Sequence, residues 1–253
     1  MKAMITGAAS GIGYEMAIYL SKLGYELLLV DKQKDKLEQL QNQLFTKSKI
    51  ILVDLANEQK VKELCVLTKN EEVDFLINNA GFGLFGAFYE TDIQKELDML
   101  AVNVKAVHLL TKFFLREMMK QDKGMILNVA SSAAFYPGPL LSSYYASKSY
   151  VYRLSLAIKE ELRREKSHVQ ISVLCPGPVK TQFNQTAGVE FRISSLSSSY
   201  VAKYAIDKCL QGKTVIVPGT KMKVVKFFSH FLSDQRLARM SYQIQKKRND
   251  ENE

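Results

Sequence analysis

The sequence predicts an α/β fold, a single domain built on a doubly wound parallel sheet of about seven strands with helices on both faces. Short apolar runs alternate with longer amphipathic stretches along most of the 253-residue chain. No repeat, linker or low-complexity block divides that alternation. Short strands that alternate with helices favour parallel pairing through right-handed crossovers, with the helices distributed over both faces of the sheet.

Each predicted strand is a short apolar run, bounded in most cases by glycine, asparagine or charged residues. The predicted strands cover residues 2–5, 26–30, 49–53, 73–77, 125–129, 169–174 and 214–217. Each predicted helix has apolar residues at helical spacing. The predicted helices cover residues 12–23, 34–45, 58–68, about 91–120, a helix that begins near Ser142, and about 200–210.

The composition is typical of a globular protein, with 47% hydrophobic and 24% charged residues. The first residues lead directly into a strand, which argues against a secretory signal, and no apolar run is long enough to span a membrane. Cys65, Cys175 and Cys209 are widely spaced and form no paired motif. We expect reduced core thiols in a cytoplasmic protein.

The formal net charge is +9. Basic residues alternate with acidic ones along most of the chain and are concentrated only from Lys221 onwards, so we expect solvated helix faces and no nucleic-acid partner. His108, His168 and His230 have no spacing typical of metal ligands. We therefore predict no metal.

A glycine-rich turn, TGAASGIG at residues 6–13, follows the first strand. Its glycines let the backbone turn tightly and approach a pyrophosphate, at which the next helix points its free N–H groups. The spacing differs from the G-x-G-x-x-G fingerprint, and any tight strand-to-helix connection uses glycine. The turn alone is therefore weak support for a dinucleotide site.

Asp31 ends the second predicted strand, where a carboxylate can accept hydrogen bonds from the adenosine ribose and repel a 2′-phosphate. The alternative is an ordinary surface aspartate in a loop. Lys32 could instead accommodate that phosphate, whereas Ser10 is neutral and adds no phosphate clamp. We predict that NAD is favoured over NADP.

Two further strand ends carry small or polar residues. Asp54, followed by Leu55, can cap an adenine amino group, and the turn of Asn79, Ala80 and Gly81 lets the backbone press against an adenosine. Each of these is explained equally well as turn chemistry. Their recurrence at successive strand ends, where open α/β sheets bind ligands, favours a binding site.

A serine, a phenol and an ammonium group follow the strand predicted at 125–129. Ser131 lies directly after that strand, and Tyr144 and Lys148 are four residues apart on the next helix, so they share one helix face. A Tyr–Lys pair at this spacing is also common on amphipathic surfaces. With a serine at the strand end, the three groups are sufficient to handle a proton on an alcohol or ketone.

These segments together resemble one enzyme family. TGAASGIG, VDL, NNAG, the Asn103 of AVNV, SSAAF, YYASK and PGPVKT occur in the order found in the short-chain dehydrogenase/reductase family, and the match extends to Thr181. The resemblance implies a Rossmann-like fold. It also implies an NAD(P)-dependent oxidoreductase that transfers a hydride between a nicotinamide and a CH–OH or C=O group.

The resemblance also implies roles for four catalytic residues. Tyr144 is the general acid/base, and Lys148, together with an oxidised nicotinamide, is expected to lower its pKa and to hold the nicotinamide ribose. Ser131 hydrogen-bonds the substrate oxygen, with its neighbour Ser132 as the second choice. Asn103 distorts the long helix and binds a water that relays protons to the lysine.

The residues expected to bind the cofactor come from the strand ends and from the loop after the sixth strand. That loop would face the nicotinamide with its backbone, and its threonine would bond the carboxamide or the pyrophosphate. The set is Gly7, Ser10, Gly11, Ile12, Gly13, Asp31, Lys32, Asp54, Leu55, Asn79, Ala80, Gly81, Tyr144, Lys148, Pro176, Gly177, Val179 and Thr181.

The substrate side is less defined. Aromatic and apolar residues near the predicted site either line an apolar pocket or pack in the core. They are Phe82, Phe85, Phe88, Phe135, Tyr136, Leu140, Phe183 and Phe191. As a pocket they indicate an apolar alcohol or ketone of acyl, steroid-like or aromatic type. The alternative function is a dinucleotide-binding redox sensor or scaffold with little turnover, and the intact catalytic set favours the enzyme.

We treat residues 1–253 as one domain, with 182–199 as a variable substrate loop and 219–253 as a C-terminal helical extension. Residues 221–232 combine valine and phenylalanine with lysine. A helix that covers the substrate cleft is the first interpretation, an oligomer contact the second and weak membrane-surface association the third. The family resemblance implies a homodimer or homotetramer.

Overall fold

The computed structural model describes residues 1–181, 195–229 and 231–250, and side chains are described as far as Lys246. The strands of this part of the chain are β1 (Lys2–Thr6), β2 (Glu26–Asp31), β3 (Ser48–Leu52), β4 (Phe75–Asn78), β5 (Met125–Val129), β6 (Gln170–Leu174), β7 (Val179–Lys180), β8 (Leu196–Ser197) and β9 (Val215–Ile216). The α-helices are α1 (Gly11–Lys22), α2 (Lys34–Gln41), α3 (Glu58–Leu67), α4 (Ile93–Leu100), α5 (Val107–Gln121), α6 (Ser142–Arg164), α7 (Ser198–Leu210), α8 (Thr220–Ser229) and α9 (Asp234–Asp250).

Seven of these strands form one sheet in the order β3-β2-β1-β4-β5-β6-β9, and every neighbouring pair is parallel. The chain moves outward from β1 to β3 and then returns to place β4 on the other side of β1. This reversal leaves a crevice beyond the carboxyl ends of β1 and β4, where ligands bind in open α/β sheets. The predicted seven-stranded, doubly wound sheet is confirmed.

Both faces of the sheet are buried, which explains why its strands are almost continuously apolar. Ile5 and Leu29 belong to the core on one face, whereas Met4, Leu28 and Val30 belong to the core on the other. This alternation follows from the two-residue repeat of a strand. Rigid layers on both sides therefore fix the positions of the strand ends.

The helix predicted at residues 91–120 contains a π-helical segment, Ala101–Ala106, between α4 and α5. Asn103 lies inside this segment and is fully buried. The helical distortion that the family resemblance implied at Asn103 is therefore present. π-Helical turns inside α-helices occur frequently at functional sites.

Several boundaries differ from the sequence-based expectation. Helix α2 ends at Gln41 rather than at residue 45, and a 3₁₀ turn at Ser132–Phe135 was not predicted. The C-terminal extension forms two helices, α8 and α9. A separate parallel ribbon pairs β7 with β8, so that Val179 lies opposite Leu196.

The three cysteines are buried and free. None of the helices in the described ranges is both long and apolar enough to cross a bilayer.

Candidate active site

A cavity of about 460 Å³ lies at the carboxyl edge of the sheet. Residues from the turns after β1, β2, β3, β4, β5 and β6 line it, together with residues of α6 and α8. Of the residues predicted for catalysis or cofactor binding, all but Gly13 and Asn103 line this one cavity. The structure therefore brings together residues that are up to 174 positions apart, from Gly7 to Thr181.

The glycine-rich turn packs against the turn after β4. Gly7 has a positive φ of 66°, and a Cβ placed on it would lie 2.8 Å from the Cα of Ala80. Asn79 strengthens the contact, since its side-chain amide donates to the carbonyl oxygens of Thr6 and Gly7 at 3.1 and 3.0 Å. Only glycine fits at position 7, because the two turns meet backbone to backbone.

The first turn of α1 opens onto the cavity. Ser10 is the N-cap residue of α1 but makes no side-chain capping hydrogen bond, and Ser10, Gly11 and Ile12 line the cavity. Thr181 lies over this turn, since a Cβ on Gly11 would be 3.1 Å from the Thr181 methyl group. An uncapped helix N-terminus beside a hydroxyl group suits a phosphate or pyrophosphate.

Gly13 does not line the cavity. It is buried inside α1, where a Cβ would overlap the carbonyl oxygen of Gly7 and the side-chain amide of Asn79. Gly13 therefore allows the helix to pack closely against the turn. It was predicted to contact the cofactor, but it is not among the residues that line the cavity.

Asp31 is held firmly at the end of β2. Its carboxylate accepts hydrogen bonds from the backbone N–H groups of Ala9, Lys32 and Gln33 at 3.1, 2.7 and 3.1 Å. Lys32 extends towards Asp54, with 3.6 Å between its Nζ and Oδ2. The Lys32 ammonium is thus paired with the Asp54 carboxylate. The Asp31 carboxylate lines the cavity, and its three hydrogen bonds hold it in a fixed orientation.

The cavity is lined by Tyr144, Lys148 and Ser131 together. Tyr144 and Lys148 are buried, with 8% and 4% of their surfaces exposed. Ser131 hydrogen-bonds Tyr144 and accepts a 3.1 Å hydrogen bond from the N–H of Ala133, which orients its hydroxyl. Lys148 donates a 3.0 Å hydrogen bond to the carbonyl oxygen of Val129, at the end of β5.

Burial controls the protonation of this group of residues. Desolvation raises the pKa of Tyr144 to about 12, and the hydrogen bond from Ser131 opposes this shift. Desolvation lowers the pKa of Lys148 to about 8. In the chain without a cofactor, burial outweighs any lowering of the Tyr144 pKa by Lys148, whose ammonium lies 5.9 Å from the tyrosine ring centre. The lowering expected with an oxidised nicotinamide beside the phenol stays a prediction.

Asn103 lies behind the cavity wall rather than in it. Its amide donates to the Phe82 carbonyl oxygen at 2.9 Å and to the Ser147 hydroxyl at 3.1 Å. Gly81 separates Asn103 from Lys148, and a Cβ on Gly81 would lie 2.8 Å from Asn103 Oδ1 and 3.0 Å from Lys148 Nζ. The absence of a side chain at position 81 lets the lysine and the asparagine approach each other.

The apolar part of the cavity includes only some of the predicted residues. Phe82 and Tyr136 line it. Phe85, Phe88, Phe135 and Leu140 do not; Phe88 is 65% exposed and Phe135 packs against Tyr152. Phe183 and Phe191 lie outside the described residues.

Several apolar lining residues were not predicted from the sequence, among them Leu141, Tyr145 and Met222. Tyr145 directly follows the candidate acid/base, and this proximity could have identified it. Met222 reaches the cavity only because α8 folds back onto the loop after β6, where a Cβ on Gly177 would lie 2.7 Å from the Met222 Cγ. Nothing in the local sequence signals that contact.

The sequence and the fold place this chain in a known family. A sequence model of the short chain dehydrogenase family matches residues 1–190. The chain therefore belongs to that family and has a Rossmann-like fold.

The chain is also similar in sequence to a named enzyme. Over 178 residues the chain is 34% identical to a very-long-chain 3-oxoacyl-CoA reductase of Phaeosphaeria nodorum. The match covers 66% of this chain and 52% of that protein, so the chain spans about half the length of this curated relative.

Two solved structures show the same fold with a nicotinamide cofactor bound. A short-chain dehydrogenase/reductase from Burkholderia phymatum in complex with NAD is 25% identical, with a TM-score of 0.82 and coverage of 89% of this chain and 91% of that one. A short-chain dehydrogenase from Sphingobium yanoikuyae in complex with NADPH is 23% identical, with a TM-score of 0.81 and coverage of 87% and 88%. Both structures share the fold of this chain over most of its length.

Proposed function

We propose that this protein transfers a hydride between a nicotinamide dinucleotide and the CH–OH or C=O group of an apolar alcohol or ketone, with Tyr144 as general acid/base. The observation that carries the proposal is the meeting of Tyr144, Ser131 and Lys148 in the same cavity as the uncapped start of α1. Proton-handling groups and a helix N-terminus suited to a pyrophosphate thus lie within one continuous space.

The strand-end residues fit the cofactor. The turn from Gly7 to Ile12 would hold the pyrophosphate, Asp31 the adenosine ribose, and the loop from Pro176 to Thr181 the nicotinamide end. When bound, the nicotinamide supplies or accepts the hydride. The orientation of the Asp31 carboxylate towards the cavity supports NAD over NADP, since a fixed negative charge repels a 2′-phosphate.

The proton is handled by the chain itself. With a pKa of about 12, Tyr144 is protonated at neutral pH and is ready to donate to the oxygen of a carbonyl substrate. Ser131, already hydrogen-bonded to Tyr144, would hold that oxygen in line with the phenol. Below pH 8 the ammonium of Lys148 is charged and stabilises the phenolate that remains after the proton has left.

The cavity wall favours an apolar substrate. Phe82, Tyr136, Leu141, Tyr145 and Met222 present rings and aliphatic groups on the side of the cavity near Tyr144. Because a relative reduces 3-oxoacyl-CoA by name, the first substrate class to test is a 3-oxoacyl thioester with a long acyl chain. Steroid-like and aromatic ketones are the other members of the same apolar class.

The test is a reductase assay of the purified full chain. NADH or NADPH oxidation is followed with long-chain 3-oxoacyl-CoA, a steroid ketone, an aryl ketone and a small polar sugar. We expect turnover with an apolar substrate and loss of at least about 100-fold in Tyr144→Phe. Tyr150→Phe is the matched control, because Tyr150 lies on the same helix but is exposed and bonded to His108.

Three results would contradict the proposal. Near wild-type turnover in Tyr144→Phe would remove the assigned acid/base, and activity confined to the sugar would remove the apolar substrate. Binding of NAD(H), measured by calorimetry, without turnover of any substrate would favour a redox sensor or scaffold. Tyr144→Phe itself should still bind the cofactor.

A further inference from the structure

Helix α8 exposes most of its large apolar side chains to solvent. Its inner face carries Met222, which packs on Gly177, and Lys226, whose ammonium lies 5.6 Å from the ring centre of Phe135. Its outer face carries Val224, Phe227, Phe228 and, just after the helix, Phe231. These four residues are 52%, 60%, 58% and 70% exposed.

The exposed residues form one continuous patch, which we call the phenylalanine face (Val224, Phe227, Phe228 and Phe231). The spacing of Val224, Phe227 and Phe228 (i, i+3 and i+4) places them on one stripe of the helix, and Phe231 packs against Phe227 just after the helix ends. The rings of Phe227 and Phe228 are 5.4 Å apart, and those of Phe227 and Phe231 are 5.1 Å apart. Exposed aromatic patches of this kind mark binding surfaces rather than ordinary solvent-facing helices.

Lysines flank the phenylalanine face on both sides. On the helical surface Lys223 lies one turn before Phe227, and Lys221 lies one turn before Val224 and Val225. Both lysines are exposed. Over residues 220–246 the chain carries six basic side chains and a single acidic one, Asp234. The surface around the patch is therefore cationic.

We propose that the phenylalanine face of α8 docks on the surface of an anionic lipid bilayer. An apolar stripe flanked by lysines is the arrangement that lets a helix lie in a membrane interface, with rings among the acyl chains and ammonium groups at the lipid phosphates. The excess of basic side chains over residues 220–246 matches the negative charge of such a surface. Met222, on the opposite face of α8, lines the cavity, so docking would leave α8 between the lipid surface and the active-site cavity.

The test is co-sedimentation of the full-length protein with two kinds of vesicle, phosphatidylcholine alone and an equimolar mixture of phosphatidylcholine and phosphatidylglycerol. We expect binding to the anionic vesicles, weakened but not abolished at high salt, because the rings insert while the charges are screened. A double variant, Phe227→Ser with Phe228→Ser, should bind about 10-fold or more weakly. Its far-ultraviolet circular dichroism should match the wild type, because both side chains are exposed.

Two further variants complete the experiment. Lys221→Gln with Lys223→Gln should weaken binding to anionic vesicles at low salt and have little effect at high salt. Phe45→Ser is the matched control. Phe45 is 69% exposed and also lies beside a lysine, Lys22, but it follows α2 and does not belong to the phenylalanine face. Its vesicle binding should equal that of the wild type.

The proposal fails if the wild type sediments with neither vesicle, or if the double phenylalanine variant binds as well as the wild type. It also fails if vesicle binding is absent and the double variant lowers the mass measured by light scattering. That last outcome would assign the face to a second copy of the chain.

Discussion

Asn103 and Phe82 hydrogen-bond each other in both directions. The N–H of Phe82 donates to Oδ1 of Asn103 at 3.1 Å, and Nδ2 of Asn103 donates to the carbonyl oxygen of Phe82 at 2.9 Å. One partner lies in the π-helical segment and the other follows the turn after β4. The pair therefore fastens the distorted helix to the cavity wall beside Lys148.

Replacing Asn103 by leucine should destabilise the fold. The change removes both bonds and leaves the N–H and the carbonyl of Phe82 without these partners, at about 1–3 kcal/mol for each buried group. We expect the free energy of unfolding, measured in urea, to fall by several kcal/mol. Equal stability of Asn103→Leu and wild type would contradict the assignment.

The buried Lys148 should make stability depend on pH. Its pKa is about 8 in the folded chain and 10.5 when unperturbed, so between these values the unfolded chain binds more protons and stability rises with pH. The slope is at most about 1.4 kcal/mol per pH unit. Lys148→Met should lack this rise.

The measurement is the difference in unfolding free energy between wild type and Lys148→Met from pH 8 to 10.5. Groups that do not interact with Lys148, Cys65 and Cys209 among them, titrate alike in both proteins and cancel, so the difference reports Lys148 together with the Cys175 thiol that it influences. A difference that stays constant across this range would mean that the pKa of Lys148 is not lowered in the folded chain.

Asp31 should determine the preference for NAD. Asp31→Asn keeps the shape and an oxygen acceptor for the backbone N–H groups but removes the charge that repels a 2′-phosphate. We expect the ratio of the NADP to the NAD dissociation constants, measured by calorimetry, to fall about 10-fold. Asp35→Asn, an exposed acid in the first turn of α2, is the control. A wild type that already prefers NADP would contradict the role of Asp31.

Gln245 should position the substrate side of the cavity through Tyr145. Gln245 is only 3% exposed on α9, and its amide donates a 3.1 Å hydrogen bond to the Tyr145 hydroxyl. The Tyr145 ring lines the cavity and packs against Gly138. Loss of the bond should let the ring move into the space that an apolar substrate needs.

We expect Gln245→Leu to raise KM for an apolar ketone more than it lowers kcat. Tyr145→Phe removes the same hydrogen bond from its other end, so the double variant should have a KM close to that of either single variant. Fully additive effects would show that the two residues act independently.

The sequence predicted which strand-end residues meet at one cavity because each turn motif is local. The glycine turn, Asp31 and the Ser131, Tyr144 and Lys148 set follow directly from apolar strands whose carboxyl ends must meet at one edge. Gly13 was misplaced because the same glycine pattern serves both a ligand and close packing of a helix on a turn. Only the backbone distance to Gly7 distinguishes these two uses.

What the sequence could not predict depends on contacts between distant segments. An apolar stripe in the sequence shows which side of α8 is hydrophobic. Whether that side is buried depends on which segment packs against the helix. Here Met222 and Lys226 face inward, whereas Phe227 faces outward. Phe82 and Phe88 have equal hydrophobicity and lie in one loop, yet only Phe82 lines the cavity. The path of the loop between β4 and α4 determines which of the two rings faces the cavity, and no local sequence pattern predicts that path.

The pairing of β7 with β8 has a consequence for how such a chain can diversify. Val179 and Leu196 are partners, so the two ends of the stretch predicted to face the substrate are joined at its base. Doubling the length of a stretch closed in this way costs only about 0.6 kcal/mol in entropy. Residues 182–195 can therefore be exchanged as a set, while Thr181 before them and α7 after them keep their places.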